Sequence, residues 1–240
     1  MLRETALTPP RGGRHWREWG SELLGTALLL LGGLSAVCLD FGAHSPVAQA
    51  LPSTSTRLLV TGILFAGTGS LVALTPFGRL SGAHLNPVVT LAFWTQGKVH
   101  PHDLVGYVAA QLLGGLIGAW LVLLLWGQTA RSVRVGATSP GPGVSPLQAI
   151  LIEAAMTTAL VLTILLMTSS VRTARWTPLV LWPVIAVLVW VGAPYTGTSL
   201  NPARSLGPAL LAPLLGPLPI YFVGPLRGGA AAGGASTLPR

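Results

Sequence analysis

Two asparagines and two glutamates are the residues of this chain whose types and spacing could support chemistry. Asn86 lies in S-G-A-H-L-N-P-V and Asn201 in T-G-T-S-L-N-P-A-R, each directly before a proline. Asparagine caps helix N-termini and proline suits the first helical position, so each Asn-Pro pair predicts a helix start. One such pair is usually only a turn. Two related copies in apolar sequence instead predict paired helix N-termini whose asparagine NH₂ groups are free to donate hydrogen bonds to a passing solute.

Glu22 and Glu153 occupy matching positions, because Glu22 opens the first apolar stretch and Glu153 opens the fourth. A carboxylate at membrane depth is costly, so a functional interpretation is the default. A coupled transporter would use these residues as proton relays. Irregular backbone inside a membrane also needs hydrogen-bond partners. We therefore favour Glu22 and Glu153 as supports for the two segments that lead into the helix starts.

The composition determines the class of protein. Hydrophobic residues make up 51% of the 240 residues and charged residues only 8%, which indicates a polytopic membrane protein. The fourteen Lys and Arg residues are scattered through loops, so positive charge does not point to nucleic acid. Cys38 is the only cysteine and has no intrachain disulfide partner.

Hydropathy predicts an all-α membrane protein with six transmembrane helices, since a bilayer core requires roughly 20 apolar residues per helix. An even number of spans puts both termini on the same side of the membrane. Most of the basic residues lie in the segments on that side, and because positive charge favours the cytoplasmic side, both termini are predicted to be cytoplasmic. The predicted spans are 19–40, 57–77, 103–126, 147–168, 177–195 and 217–236, with a cytoplasmic segment 1–18, an external loop 127–146 and a tail 237–240.

Each Asn-Pro pair begins a helix of about ten residues, which is half the thickness of a bilayer. The first runs from Asn86 to Gly97 and the second from Pro202 toward Pro213. With three spans in each half, 19–126 and 147–236 form an inverted repeat with two re-entrant half-helices. Such repeats place a pore or carrier site near the membrane midplane.

Several motifs resemble the aquaporin, or major intrinsic protein, family: E-L-L-G-T at 22–26, S-G-A-H-L-N-P-V-V-T at 81–90, G-Y-V-A-A-Q at 106–111 and G-T-S-L-N-P-A-R-S-L-G-P-A at 197–209. The resemblance implies a homotetramer with a pore in each subunit, passive conduction of water or small uncharged solutes, and no cofactor. Pro87, Val88, Pro202 and Ala203 complete its two half-helix motifs. The chain departs from the family at Val88, which replaces alanine and is expected to alter the lumen modestly, and at Arg227 in a short sixth span.

By the same resemblance, four residues form the selectivity filter: Ala66, Val189, Thr198 and Arg204. The family's strict water channels place an aromatic residue at the first position and histidine at the second. Ala66 and Val189 therefore predict a wider gate that also passes glycerol, urea or metalloid acids. Ser205, Ala209 and Tyr221-Phe222 are more like those of water channels, which keeps a strictly water-selective pore as the alternative.

The histidines carry weaker signals. His84 could line the cytoplasmic vestibule or be a hydrogen-bonded loop residue. His100 and His102 form H-P-H-D with Asp103, which invites a metal interpretation, but a short interfacial turn explains these residues equally well. We predict no metal site and no cofactor. No nucleophile, base and orienting group emerge as a set, so we predict no enzyme. High Ala, Gly, Arg and Pro usage suggests a bacterial plasma membrane.

Overall fold

The computed structural model describes residues 14–236, and this part of the chain is helical with short connections. Most helices begin at a proline or directly after a serine, threonine or asparagine cap, as helix starts commonly do. The helices are α1 (Trp16–Phe41), α2 (Pro46–Ala50), α3 (Thr54–Leu74), α4 (Pro76–Ser81), α5 (Pro87–Thr95), α6 (Pro101–Trp126), α7 (Gln128–Ser132), α8 (Pro146–Met167), α9 (Val171–Ala174), α10 (Thr177–Thr196), α11 (Pro202–Leu211) and α12 (Ile220–Ser236).

Five of these helices are long and apolar enough to cross a membrane, namely α1, α3, α6, α8 and α10. They match the first five predicted spans. The second is the least accurate, because the helix ends at Leu74 and a new one begins at Pro76. Residues 1–13 of the predicted cytoplasmic segment 1–18, and the predicted tail 237–240, lie outside the described residues. We call the end of the bundle where α1 and α6 begin the N-terminal end, and the other the opposite end.

The sixth predicted span is α12, which begins at Ile220 rather than at residue 217 and has 17 residues. The helix continues without a break through Pro225 and Arg227, and the Arg227 side chain is exposed. Its small residues lie against α8, where a Cβ at Gly228 would clash with the Ala154 carbonyl. Close backbone approach therefore compensates for the low apolar content of this helix.

The packing repeats between the two halves of the chain. In the first half, α1 packs against α3 and α6, and in the second half α8 packs against α10 and α12. Each half-helix also contacts the other half of the chain, since α5 packs against α12 as well as against α6, and α11 packs mainly against α6. Glycines allow these contacts, because a Cβ at Gly115 of α6 would clash with the Ala203 carbonyl of α11. The inverted repeat is thus confirmed, and it brings the two half-helix N-termini together.

Candidate pore and constriction

The two short helices α5 and α11 begin as the sequence predicts. The Asn86 side-chain oxygen accepts a hydrogen bond from the Val88 N–H at 2.9 Å. The Asn201 oxygen accepts one from the Ala203 N–H, also at 2.9 Å. With nine and ten residues respectively, each helix is about half as long as a membrane span.

The asparagine NH₂ groups are less free than predicted, because each is bonded to the opposite loop. Asn86 Nδ2 donates to the Leu200 carbonyl at 2.8 Å, and Asn201 Nδ2 donates to the Leu85 carbonyl at 2.8 Å. An amide NH₂ has two hydrogens. One hydrogen of each asparagine therefore ties the two half-helices together, and one is left for a solute.

Glu22 accepts hydrogen bonds from the loop that leads into α5. The backbone N–H groups of His84 and Leu85 donate to its two oxygens at 2.9 and 2.7 Å, and Gln111 Nε2 donates at 2.7 Å. The side chain is fully buried. These contacts supply the partners that an irregular buried backbone requires.

Glu153 does the same for the loop before α11. The N–H groups of Ser199 and Leu200 donate to its oxygens at 2.8 and 2.9 Å, and Thr196 Oγ1 donates at 2.7 Å. Both carboxylates are thus occupied by loop donors. This geometry supplies the hydrogen-bond acceptors that an irregular buried backbone requires.

Both loops share an unusual backbone. Residues with positive φ follow the same spacing in each: Gly82, Ala83 and Leu85 before Asn86, and Gly197, Thr198 and Leu200 before Asn201. Non-glycine residues in this region cost free energy and persist only where the surroundings hold them. The two glutamates provide that restraint, and the conformation aims the Leu85 and Leu200 carbonyls at the opposite asparagine.

A cavity of about 240 Å³ lies between these loops and the opposite end of the bundle, and Val189, Thr198 and Arg204 line it together. Ala66 does not, because Phe65 takes the place predicted for it. Ala66 is on the same helix face as Gly62, where a Cβ would meet Ala186 of α10. Adjacent residues in a helix point about 100° apart. The prediction was therefore off by one residue, and it selected a residue that faces α10 instead of the neighbouring residue that faces the cavity.

Arg204 and Phe65 face each other across this cavity. The guanidinium carbon lies 5.4 Å from the centre of the Phe65 ring, a distance typical of a cation–π contact. Arg204 Nη1 donates to the Gly136 carbonyl at 2.8 Å, which anchors the side chain to the loop after α7. Among residues 14–236, the Gly136 carbonyl is the one protein acceptor for the five N–H donors of this guanidinium. The remainder are available to a solute.

Val88 also departs from its prediction. The side chain is fully buried and packs with Ala92, Val161, Leu165 and Ala232 rather than facing the lumen. A Cβ at Gly229 of α12 would clash with Val88. The valine therefore fits a groove made by the small residues of the sixth helix.

His84 is a hydrogen-bonded loop residue. Its Nδ1 lies 3.1 Å from Thr90 Oγ1, and its ring stacks on Phe93 with centroids 4.8 Å apart. The side chain is half-buried. The alternative that it lines the vestibule remains a prediction. The residues His100, His102 and Asp103 do form the turn that begins α6.

The prediction from sequence did not include Phe65 and Gly136, which both line the cavity. Phe65 could have been found by also considering the residues on either side of Ala66, because an aromatic residue directly precedes it in the sequence. Gly136 could not, because a backbone carbonyl carries no side-chain signal and its loop is set by tertiary packing.

Comparisons with known proteins agree with this geometry. A family model described as Major intrinsic protein matches residues 11–235. The chain is 35% identical over 227 residues to aquaporin AqpM of Methanothermobacter thermautotrophicus, covering 88% of this chain and 92% of that one. It is 40% identical over 162 residues to a probable aquaporin AqpM of Archaeoglobus fulgidus, covering 65% and 66% of the two chains.

A plant relative and a solved structure extend these findings. The chain is 37% identical over 177 residues to aquaporin TIP4-4 of Zea mays, covering 72% of this chain and 69% of that one. Its fold resembles the X-ray structure of the aquaglyceroporin from Plasmodium falciparum with a TM-score of 0.72 and 23% identity. The match covers 92% of this chain and 95% of the chain in that structure.

Proposed function

Since this chain belongs to the major intrinsic protein family of membrane channels, we propose that it conducts water and small uncharged solutes such as glycerol or urea passively and excludes protons and ions. The constriction lined by Phe65, Val189, Thr198 and Arg204 is the observation that carries this proposal. In it, Phe65 replaces Ala66 as the first member of the selectivity filter. The first position is therefore aromatic, as in the family's strict water channels, and the wider gate that we propose rests on Val189 alone.

The constriction has one apolar and one polar side. Phe65 and Val189 supply hydrocarbon, while Thr198 supplies a hydroxyl and Arg204 supplies N–H donors. A polyol such as glycerol has the matching arrangement, with C–H groups on one side and hydroxyls on the other. Binding groups of this kind fix a solute's orientation without requiring charge. Val189 leaves more room than the histidine that strict water channels of the family place there.

Exclusion of protons and cations is assigned to two positive regions. The N-termini of α5 and α11 each carry roughly half a positive charge, and they meet beside Asn86 and Asn201. Arg204 adds a full charge at the constriction. A cation would have to pass both, whereas a neutral solute is unaffected by either.

The test is solute-resolved permeability of purified protein in liposomes, measured by stopped-flow light scattering with water, glycerol and urea gradients. We expect all three fluxes to exceed those of empty liposomes and to follow only the solute gradient. A protein that passes water but neither solute would be the strictly water-selective alternative. Uptake that depends on a proton gradient would instead support the coupled transporter that uses Glu22 and Glu153.

We further propose that the chain is a homotetramer in the plasma membrane with both termini cytoplasmic. Arg14, Arg17, Arg79, Lys98, Arg172 and Arg175 cluster toward the N-terminal end, which supports that orientation. Exposed apolar side chains on α3 and α10, such as Leu71 and Val187, suit contact with lipid or with another copy. Native mass spectrometry from lipid nanodiscs would test the subunit number.

A further inference from the structure

Three side chains with metal-binding atoms converge at the N-terminal end of the bundle, away from the pore. His15 directly precedes α1, while His102 and Asp103 lie in the first turn of α6. One ligand atom from each residue falls within 4.8 Å of the other two. His15 and Asp103 are 88 positions apart in the chain, so the fold assembles a group that the H-P-H-D string alone could not indicate.

The group is more than an ion pair between His15 and Asp103. His15 Nδ1 lies 2.9 and 2.8 Å from the two Asp103 oxygens, so these two residues already have each other as hydrogen-bond partners. The Nε2 atom of His102 is buried and has no hydrogen-bond partner within residues 14–236, although the His102 side chain as a whole is 39% exposed and Nε2 lies within ion-pair distance of Asp103 Oδ2, at 3.5 Å. A buried imidazole nitrogen without a partner costs free energy. A cation between the three residues would satisfy it.

The distances suit a small tetrahedral ion. With bonds of 2.0–2.2 Å to nitrogen and oxygen, neighbouring ligand atoms of a tetrahedral zinc site are about 3.3 Å apart. The distances from Asp103 to His15 and His102, 2.8 and 3.5 Å, lie on either side of that value. The two histidines must approach each other by at most about 1.5 Å, the difference between the 4.8 Å limit and the tetrahedral separation, and side-chain rotation provides such a shift.

The surroundings also resemble a metal site. Trp19 Nε1 donates to Asp103 Oδ1 at 2.9 Å, which fixes the carboxylate in the manner of an outer-shell partner. The His100 ring lies beside that of His102, with centroids 4.8 Å apart, but His100 is outside the group of convergent ligand atoms, so the fourth ligand of a tetrahedral ion would be a water molecule.

We propose that His15, His102 and Asp103 bind one divalent transition-metal ion of the zinc class. Imidazole nitrogen with a carboxylate is a donor set that favours zinc, nickel or cobalt over magnesium or calcium. The ion joins the beginning of α1 to the beginning of α6 and so holds the N-terminal end of the bundle together. This site is independent of the pore and of the proposed solutes.

Zinc titration of the tag-free, full-length chain in detergent micelles tests the site, with isothermal calorimetry as the readout. We expect one equivalent of Zn²⁺ to bind, and we expect His15→Gln and His102→Gln each to weaken binding at least about tenfold. His44→Gln is the matched control, because His44 is an exposed loop histidine beyond α1. Its affinity should equal that of the wild type.

Co²⁺ absorption gives a second measure of the site, and the spectrum of the wild-type chain does not depend on the folding of any variant. We expect visible d–d bands typical of a four-coordinate ion, and we expect Trp19→Phe to weaken Co²⁺ binding about tenfold while leaving the bands in place. A wild-type dissociation constant for Zn²⁺ weaker than about 1 mM would overturn the proposal. So would undiminished binding in both histidine variants.

Discussion

The two half-helices of this channel share a scaffold and differ at one functional position. Each begins at a capping asparagine, each asparagine bonds to the opposite loop, and each loop is held by a buried glutamate. Three residues after the asparagine, however, α5 has Val89 and α11 has Arg204. Val89 packs in an apolar cluster with Met156 and Leu160, whereas Arg204 faces the cavity.

This difference separates two roles. The symmetric parts, which are the capped half-helix N-termini and their glutamate-bound loops, lie where the two halves of the chain meet. The cavity that we propose as the constriction lies toward the opposite end, where Arg204, Phe65, Val189 and Thr198 line it. Solute choice should therefore depend on the asymmetric position, and stability should depend about equally on both halves.

The largest expected effect comes from the two glutamates. Glu153→Gln and Glu22→Gln each replace one acceptor oxygen by an NH₂ group that faces a backbone donor. Leaving one or two buried N–H groups unsatisfied costs about 1–3 kcal/mol each. Thermal unfolding in detergent, followed by circular dichroism, should show both variants strongly and similarly destabilised. A normal melting temperature for one of them would break the equivalence of the two loops.

A smaller loss of stability is expected where Val88 meets the sixth helix. Gly229→Ala places a methyl group against Val88, and overpacking of this kind costs roughly 1–3 kcal/mol. Adding Val88→Ala should recover much of that loss in the double variant, as neighbouring residues are not additive. Water permeability of the folded fraction should stay unchanged. A change in solute selectivity would show that Val88 does reach the lumen.

Arg204→Val gives α11 the residue that α5 has at the same position. Removing the charge and its bulk should raise the ratio of glycerol to water permeability roughly tenfold, equivalent to a barrier lowered by about 1.4 kcal/mol. Stopped-flow measurements in liposomes check this. Val89→Ala is the matched control in the other half and should leave the ratio unaltered, since its side chain is buried away from the cavity.

Much of this arrangement could be predicted from the sequence, because it depends on local chemistry. Asn-Pro pairs encode helix starts, so α5 and α11 were correct to within a few residues. The repeat-matched glutamates could be paired with the loops by the need of buried backbone for hydrogen bonds. Five of the six spans followed from hydropathy.

What could not be predicted depends on directions and distant contacts. The one-residue error at Ala66 arises because a count along the chain does not fix the rotation of a helix. The direction of Val88 depends on α12, and the bonding of each asparagine NH₂ depends on a loop more than 100 residues away. His15 gave no signal, since its partner Asp103 is brought to it only by the packing of α1 against α6.

The most direct test of the central claim is the permeability of Val189→His beside the wild type in liposomes. If the constriction selects the solute, the histidine should lower glycerol and urea flux at least about tenfold, a barrier rise of about 1.4 kcal/mol. Water flux should change much less. Glycerol flux equal to that of the wild type would contradict the account, because the solute would then be selected elsewhere in the pore.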